Sequence, residues 1–425
     1  MAKHTDNSRR NLLLGGLAVG AAAAMIKLKP SDQGENHADY FVDLSQALDR
    51  AGIARPVMVI DKQKLKQNVQ VMRSHIGQRF AYRIVAKSLP SVDLIKAVMA
   101  EANTRRLMLF YQPFANQIAE QIPHADILFG KPMPVAAAHN FYRQLRGNFN
   151  PAKQLQWLID SPQRLQQYAD LAKQLDVSMR ISIEIDVGLH RGGVDNVQDL
   201  SLMLEQIQAS QHLQFSGFMG YEPHIAKLPG SKIKLRDQAM QVYQEFVELA
   251  AQKYGGMQAE WVLNAGGSPS YQLYDQGSFP FNELSTGSCL VKPTDFDLST
   301  LADHLPAAYI ATPVIKTMAQ SRLPGFDSLA KLMRWWNPNR QQAFFTYGGY
   351  WKAKPESPKG LSTNPLFGRS TNQEMLNGSK RVNLQQDDWV FLRPTQSEFV
   401  FLQFGDLAVY DQGEMVASWP VMKQS

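Results

Sequence analysis

Cysteine is nearly missing from this chain: Cys289 is the only one in 425 residues, so no intrachain disulfide can form. Charge is thin as well, with Asp, Glu, Lys and Arg at 19% of the residues. The formal net charge of +6 sits largely at the chain start, where Lys3, Arg9, Arg10, Lys27 and Lys29 against Asp6 give +4 for residues 1–30. Subtracting, 6 − 4 leaves +2 for the rest, so no basic field exists for a phosphate backbone and nucleic-acid binding is not indicated. A long apolar run is also missing. The uncharged Gly/Ala-rich stretch from Leu12 to Ile26 has fifteen residues, short of the roughly 20 that a membrane-spanning helix needs. No internal repeat of short period is present, which sets solenoids aside. What is present is apolar material, 44% of the chain, enough for a large core and two domains.

Segments rich in strand-forming residues begin near Val57, Ala81, Arg106, Asp126, Leu155, Arg180, Phe215, Glu260 and Asn282, mostly alternating with helical stretches such as Pro162 to Leu175 and Ile233 to Tyr254. That alternation predicts an α/β fold, a (β/α)8 TIM-like barrel. After about residue 290 the helical rhythm fades. The runs Trp389-Val390-Phe391-Leu392 and Phe399-Val400-Phe401-Leu402 read as strands of a C-terminal β-rich domain. Residues Lys352 to Arg381, rich in Pro, Gly, Ser, Asn and Lys, read as a long loop or lid. The aromatic stretches Arg334-Trp335-Trp336 and Phe344 to Trp351 read as packing between domains, with a substrate-entrance wall or a dimer contact as the alternatives.

The most telling residue is Lys87. Phe80, Tyr82, Ile84 and Ala86 alternate with Ala81, Arg83 and Val85, and the pattern stops at Lys87-Ser88-Leu89-Pro90. A lysine at the end of a barrel strand points into the mouth. Beside low-dielectric walls it can lose its proton and form a Schiff base with an aldehyde cofactor. A strand-end lysine alone is more often a solvated terminus, but five further segments, one before it and four after, stand in a fixed order.

Arg55 to Asp61 with Leu65 to Val69 reads as a strand, an Asp cap and an amphipathic helix. Glu184 to Val194 is a strand running into a glycine-broken loop that carries Arg191, and Gly217 to His224 ends a strand in Tyr221 and His224. Asn264 to Ser270 and Glu283 to Ser288 supply two small-residue loops. Gly267, Ser268, Gly287 and Ser288 in these loops offer the close backbone approach that a phosphate group requires. Tyr221 and His224 read as core or rim residues, or as site residues at the barrel end where active sites gather.

This ordered set resembles the fold-type III pyridoxal phosphate enzymes, the alanine racemase N-terminal barrel superfamily, and within them the D-serine dehydratase and D-threonine aldolase group. The resemblance covers roughly residues 55 to 290 well and the last forty moderately. It implies pyridoxal 5'-phosphate as cofactor, carried covalently by Lys87, with Arg191 beside the phenolate. Gly267, Ser268, Gly287 and Ser288 would hold the phosphate; Tyr221 is expected beside the cofactor, and Tyr221 or His224 as the second base on the opposite face that a racemase needs. It implies a lyase acting on a small D-amino acid, with an amino-acid racemase as alternative and a non-catalytic cofactor-binding protein as a further one; homodimerisation stays open.

The group binds a divalent metal through a His and a Cys or Asp just after a C-terminal proline. The matching stretch here, Arg393-Pro394-Thr395-Gln396-Ser397-Glu398, puts Gln396 and Glu398 at those positions. Glu398 is thus the one metal-ligand candidate, suited to magnesium or manganese rather than zinc. Cys289, next to a phosphate loop, reads as a packed small residue.

Four segments are expected: a signal segment at 1–30, an N-terminal piece at 31–54 packing on the β-domain, the barrel at 55–292 and the C-terminal domain at 293–425. Ser8-Arg9-Arg10-Asn11-Leu12-Leu13-Leu14 resembles the twin-arginine export motif, with Ala22-Ala23-Ala24 as a cleavage site. This implies the twin-arginine export machinery as partner and a periplasmic location, with an uncleaved N-terminal membrane anchor as the alternative.

Overall fold

The computed structural model describes residues 29–321, 327–365 and 367–425. The twin-arginine stretch lies outside them. Among the described residues no helix is long and apolar enough to cross a membrane. The chain divides into two compact units, one of residues up to 56 with 311–392, the other of 57–310 with 393–425.

The larger unit holds a closed barrel of eight parallel strands: β2 (Ala81–Val85), β3 (Arg106–Leu109), β4 (Asp126–Phe129), β5 (Leu155–Ile159), β6 (Met179–Ile185), β7 (Leu213–Gly220), β8 (Val262–Ala265) and β9 (Glu283–Thr286). Ile84 registers with Leu107 on one side and Thr286 on the other, which closes the ring. Helices between strands start and stop where local chemistry directs. Ser161 caps Pro162–Leu175, its Oγ accepting from the Arg164 backbone N–H, and Asp176 ends that helix in the left-handed region at φ 50°.

The barrel interior is not purely apolar. Arg83 is fully buried, its Nε 2.5 Å from Glu283 Oε1 and its guanidinium 3.0 Å from Asp126 Oδ1, while Arg106 reaches Glu283 Oε2 at 2.6 Å. Asn264 Nδ2 donates to Glu283 Oε1 at 2.8 Å and to Ser285 Oγ at 2.6 Å, which carries the network up to the open end. Buried charges persist only when paired and hydrogen-bonded in this way.

Two expectations about this unit need correction. The strand β1 (Val57–Asp61) is not a barrel strand: it runs parallel to β16 (Asp406–Asp411), Met58 opposite Leu407, and β16 pairs antiparallel with β17 (Glu414–Pro420). That pairing places the end of the chain with the barrel unit instead of with the C-terminal strands, so the boundary at 292/293 does not divide the units. Phe399-Val400-Phe401-Leu402 is not a strand, because Glu398–Phe401 forms a helical turn. In that turn Phe401 is fully buried and Phe399 is 72% exposed. Four apolar residues are too few to separate the two periodicities.

The smaller unit contains the helix Asp39–Arg50 and the strands β11 (Gln342–Tyr347), β12 (Ala353–Ser357), β13 (Ser362–Thr363) and β14 (Gln373–Gly378). Strands β10 (Ala308–Met318) and β15 (Trp389–Pro394) continue across the boundary between units. Phe41 of the helix packs on Phe391 with ring centroids 4.9 Å apart, and Trp389 donates its indole N–H to Asp49 Oδ1 at 2.8 Å. The stretch 352–381, expected as a loop or lid, instead supplies β12, β13 and β14, with Phe345 opposite Met375 across the β11–β14 pair. Its polar residues are internal partners: Asn364 Nδ2 donates to Asn377 Oδ1 at 2.7 Å, and Glu374 Oε2 accepts from the Tyr350 backbone N–H at 2.9 Å.

Candidate active site

The C-terminal ends of β2, β6, β7, β8 and β9 converge on one cleft with two lobes. Lys87, Ser88, Tyr221, Gly266, Gly267, Ser268, Gly287, Ser288 and Ser285 line the inner lobe. Lys87, Phe110, Gly130, Arg191 and Glu398 border both lobes. The outer lobe, about 520 Å³, adds Tyr111, Phe114, Asp160 and Glu184.

Lys87 stands in a single 3-10 turn, Ala86–Ser88, directly after β2. Its Nζ lies 2.8 Å from Glu398 Oε1 and 4.6 Å from the centroid of the Phe110 ring. The lysine thus has an apolar face on one side and a proton acceptor on the other.

Arg191 sits in a loop built on Asp186. That carboxylate accepts from the backbone N–H groups of Gly188 at 2.9 Å and His190 at 3.0 Å, and its second oxygen meets His190 Nδ1 at 2.9 Å. The turn sends the Arg191 guanidinium over the Tyr221 ring, 5.1 Å from its centroid. Burial pushes the Tyr221 hydroxyl up to about 12, with Arg191 pulling the other way, so this phenol holds its proton at neutral pH.

The two small-residue loops form a cradle. Gly266 has φ +78°, and a Cβ there would meet Leu284 Cδ2 at 2.6 Å. A Cβ on Gly267 would lie 2.6 Å from Tyr221 Cε2, and one on Gly287 would collide with the Val85 carbonyl. The Ser268 hydroxyl ties the loops together, accepting from the backbone N–H of Gly287 at 3.2 Å and of Cys289 at 3.0 Å. Ser288 Oγ and Ser88 Oγ are 2.8 Å apart, which joins the second loop to the lysine turn.

His224 stands apart. It belongs to the turn Pro223–Ala226 and lines neither lobe; its Nδ1 is buried without a hydrogen-bond partner, and burial lowers its pKa. Cys289 is fully buried, its thiol pushed up to about 11 chiefly by burial, which makes it a poor nucleophile. Sequence reasoning missed Phe110 and Glu184 as lining residues. Phe110 directly follows the apolar run of β3, so a strand-end rule applied to every strand would have found it.

Residues 60–295 match the family described as alanine racemase, N-terminal domain. No curated protein matches the chain significantly. Among solved structures, D-threonine aldolase from Filomicrobium marinum is 13% identical with a TM-score of 0.69, covering 87% of this chain and 98% of its own. D-threo-3-hydroxyaspartate dehydratase from Delftia sp. HT23 is 16% identical with a TM-score of 0.66, covering 86% and 97%. Alanine racemase from Bacillus anthracis is 13% identical with a TM-score of 0.64, covering 86% and 98%. The chain belongs to the alanine racemase N-terminal domain family, the fold-type III pyridoxal phosphate enzymes.

The residues present fit that cofactor. The cleft offers Lys87 just past the end of β2 and two glycine-shaped loops that a Cβ would fill, with the Arg191–Tyr221 pair also lining it. A divalent cation finds no comparable fit. Among the described residues no group of three or more His, Cys, Asp or Glu is arranged to hold a metal ion, and Glu398 is engaged by Lys87. Glu398, expected as a magnesium or manganese ligand, stands instead as the ion-pair partner of Lys87 in this structure, and the described residues give a divalent cation there no support.

Proposed function

We propose that this chain is a pyridoxal phosphate-dependent enzyme acting on a small D-amino acid, as a lyase of the D-threonine aldolase or D-serine dehydratase type. The observation that carries the reading is the convergence of Lys87, Arg191, Tyr221 and the two glycine-shaped loops on one cleft. The aldolase and dehydratase among the similar structures support the lyase class.

When bound, the cofactor supplies an aldehyde carbon for an amine and a ring that delocalises negative charge left at the substrate Cα. The protein's share is positioning and proton handling. Lys87 Nζ would be the attachment point for the cofactor, and its free amine would accept or return the proton at Cα. Arg191 offers a fixed positive charge to the phenolate, held over Tyr221 by the Asp186 turn. Gly267, Ser268, Gly287 and Ser288 hold the phosphate through the backbone and their short hydroxyls.

A second reading, amino-acid racemase, is favoured by the Lys87–Glu398 contact. Glu398 gives the lysine a partner for its proton, and that same engagement removes a carboxylate from β-hydroxyl chemistry. Turnover of a panel of D- and L-amino acids decides between them: keto acid or aldehyde product marks a lyase, and loss of optical purity without either marks a racemase.

We also propose export by the twin-arginine route to the periplasm, on the strength of Arg9 and Arg10 before an uncharged run. That route carries folded proteins, which suits a chain that must load its cofactor before leaving the cytoplasm.

A further inference from the structure

Glu222 follows Tyr221 at the end of β7 and is fully buried. Its Oε1 accepts from Ser270 Oγ at 2.7 Å, and its Oε2 accepts from the Gly266 backbone N–H at 3.3 Å. These are the two ends of the loop Gly266 to Ser270. Between them the Gly267 carbonyl accepts from the Ser270 and Tyr271 backbone N–H groups, each at 3.0 Å, so one carboxyl group spans the two ends of a turn whose middle is tied outward through Ser268 and Pro269. The loop has little room to drift, since a methyl group's worth of movement at Gly267 meets the Tyr221 ring. Burying a carboxyl group is costly, and a protein tolerates it where the group's hydrogen bonds are needed.

We propose that Glu222 is a positioning residue which, by holding Gly266 and Ser270, fixes this loop against a phosphate group and sets how strongly the site prefers pyridoxal phosphate over pyridoxal. The inference rests on the reading that the inner lobe takes pyridoxal phosphate. Burial pushes Glu222 toward its protonated form, with the hydrogen bonds from Ser270 and Gly266 acting in the opposite direction.

The test measures dissociation constants of the cofactor-free full chain for pyridoxal phosphate and for pyridoxal, and reads their ratio. The wild type should favour the phosphorylated probe. Glu222→Ala removes both acceptors and should cut the ratio about tenfold, since net hydrogen-bond contributions of this kind amount to roughly that factor. Glu222→Gln keeps an acceptor for Ser270 and presents a donor to the Gly266 N–H, so its ratio should fall between the two. Ser270→Ala should shift the ratio in the same direction.

A general loss of folding would instead weaken both probes in parallel. Parallel weakening, or an unchanged ratio in Glu222→Ala, overturns the proposal. If Glu222→Ala does not fold, unchanged ratios in both Glu222→Gln and Ser270→Ala overturn it equally. A wild type with no preference for the phosphorylated probe would remove the cofactor reading itself, a failure distinct from a preference that survives Glu222→Ala.

Discussion

Lys87 Nζ and Glu398 Oε1 are 2.8 Å apart, a contact that joins the end of β2 to the final segment of the chain. Both side chains keep more than a third of their surface open to solvent, 39% and 37%, so the pair contributes little to stability and its weight is chemical. The carboxylate stands beside the strand-end amine proposed to hold the cofactor aldehyde.

The first prediction is that Lys87 carries the cofactor. The purified protein should be yellow, and borohydride reduction followed by peptide mapping should give a pyridoxyl adduct on Lys87. An adduct on another lysine, or a reducible lysine adduct persisting in Lys87→Ala, would show the assignment to be wrong.

Glu398→Gln keeps the shape of the side chain and removes its ability to take a proton. Turnover should fall about 10²-fold, the lower range for loss of a general acid–base partner, while chelators leave the wild type unaffected. Stoichiometric zinc in the purified protein, with activity lost to chelation and restored by zinc alone, would place the ligands elsewhere.

Glu184 faces the outer lobe, and its carboxyl is pushed up to about 7, first by burial, then by the neighbouring Asp160, with Arg191 acting in the opposite direction. The folded state therefore binds a proton that the unfolded state releases near the ordinary 4.5. Stability supplied by that proton is present at low pH and is lost as pH rises through about 7. Glu184→Gln has no such loss, so urea unfolding at pH 5 and pH 8 should show the wild type weakening relative to the variant. Equal changes in the two proteins would mean that Glu184 titrates normally.

Replacing Arg9 and Arg10 together by Lys should leave precursor in the cytoplasm, because the export receptor is expected to read the guanidinium pair and not charge alone. Normal export of the double variant, followed by cell fractionation, would point to the general secretory route or to an anchor.

The order of barrel elements was legible because its signal is local. Expected strand starts at Ala81, Arg106, Asp126 and Leu155 coincide with β2 to β5, and those at Arg180, Phe215, Glu260 and Asn282 fall near β6 to β9. The position of Lys87 could be read for the same reason, since alternation over Phe80 to Ala86 and the polar turn after it lie within one short window. The stretch 352–381 misled because its Asn and Glu side chains are satisfied inside a sheet, and composition does not say where a polar group finds its partner. His224 was read from its place after β7, but the direction of a side chain in a turn depends on the loop packed against it.

By itself the sequence determined the alternation of strands and helices, the strand-end lysine and the glycine positions of the two loops. Each follows from backbone preference and spacing over a few neighbouring residues. Tertiary structure alone decided that β1 pairs with β16 outside the barrel, although its five residues are as buried as any barrel strand. It also decided that Glu398 meets Lys87 and that Glu222 clamps Gly266 to Ser270. The physical reason is that strand pairing and side-chain contact between distant segments depend on how the whole chain closes, a quantity that no short window of residues contains.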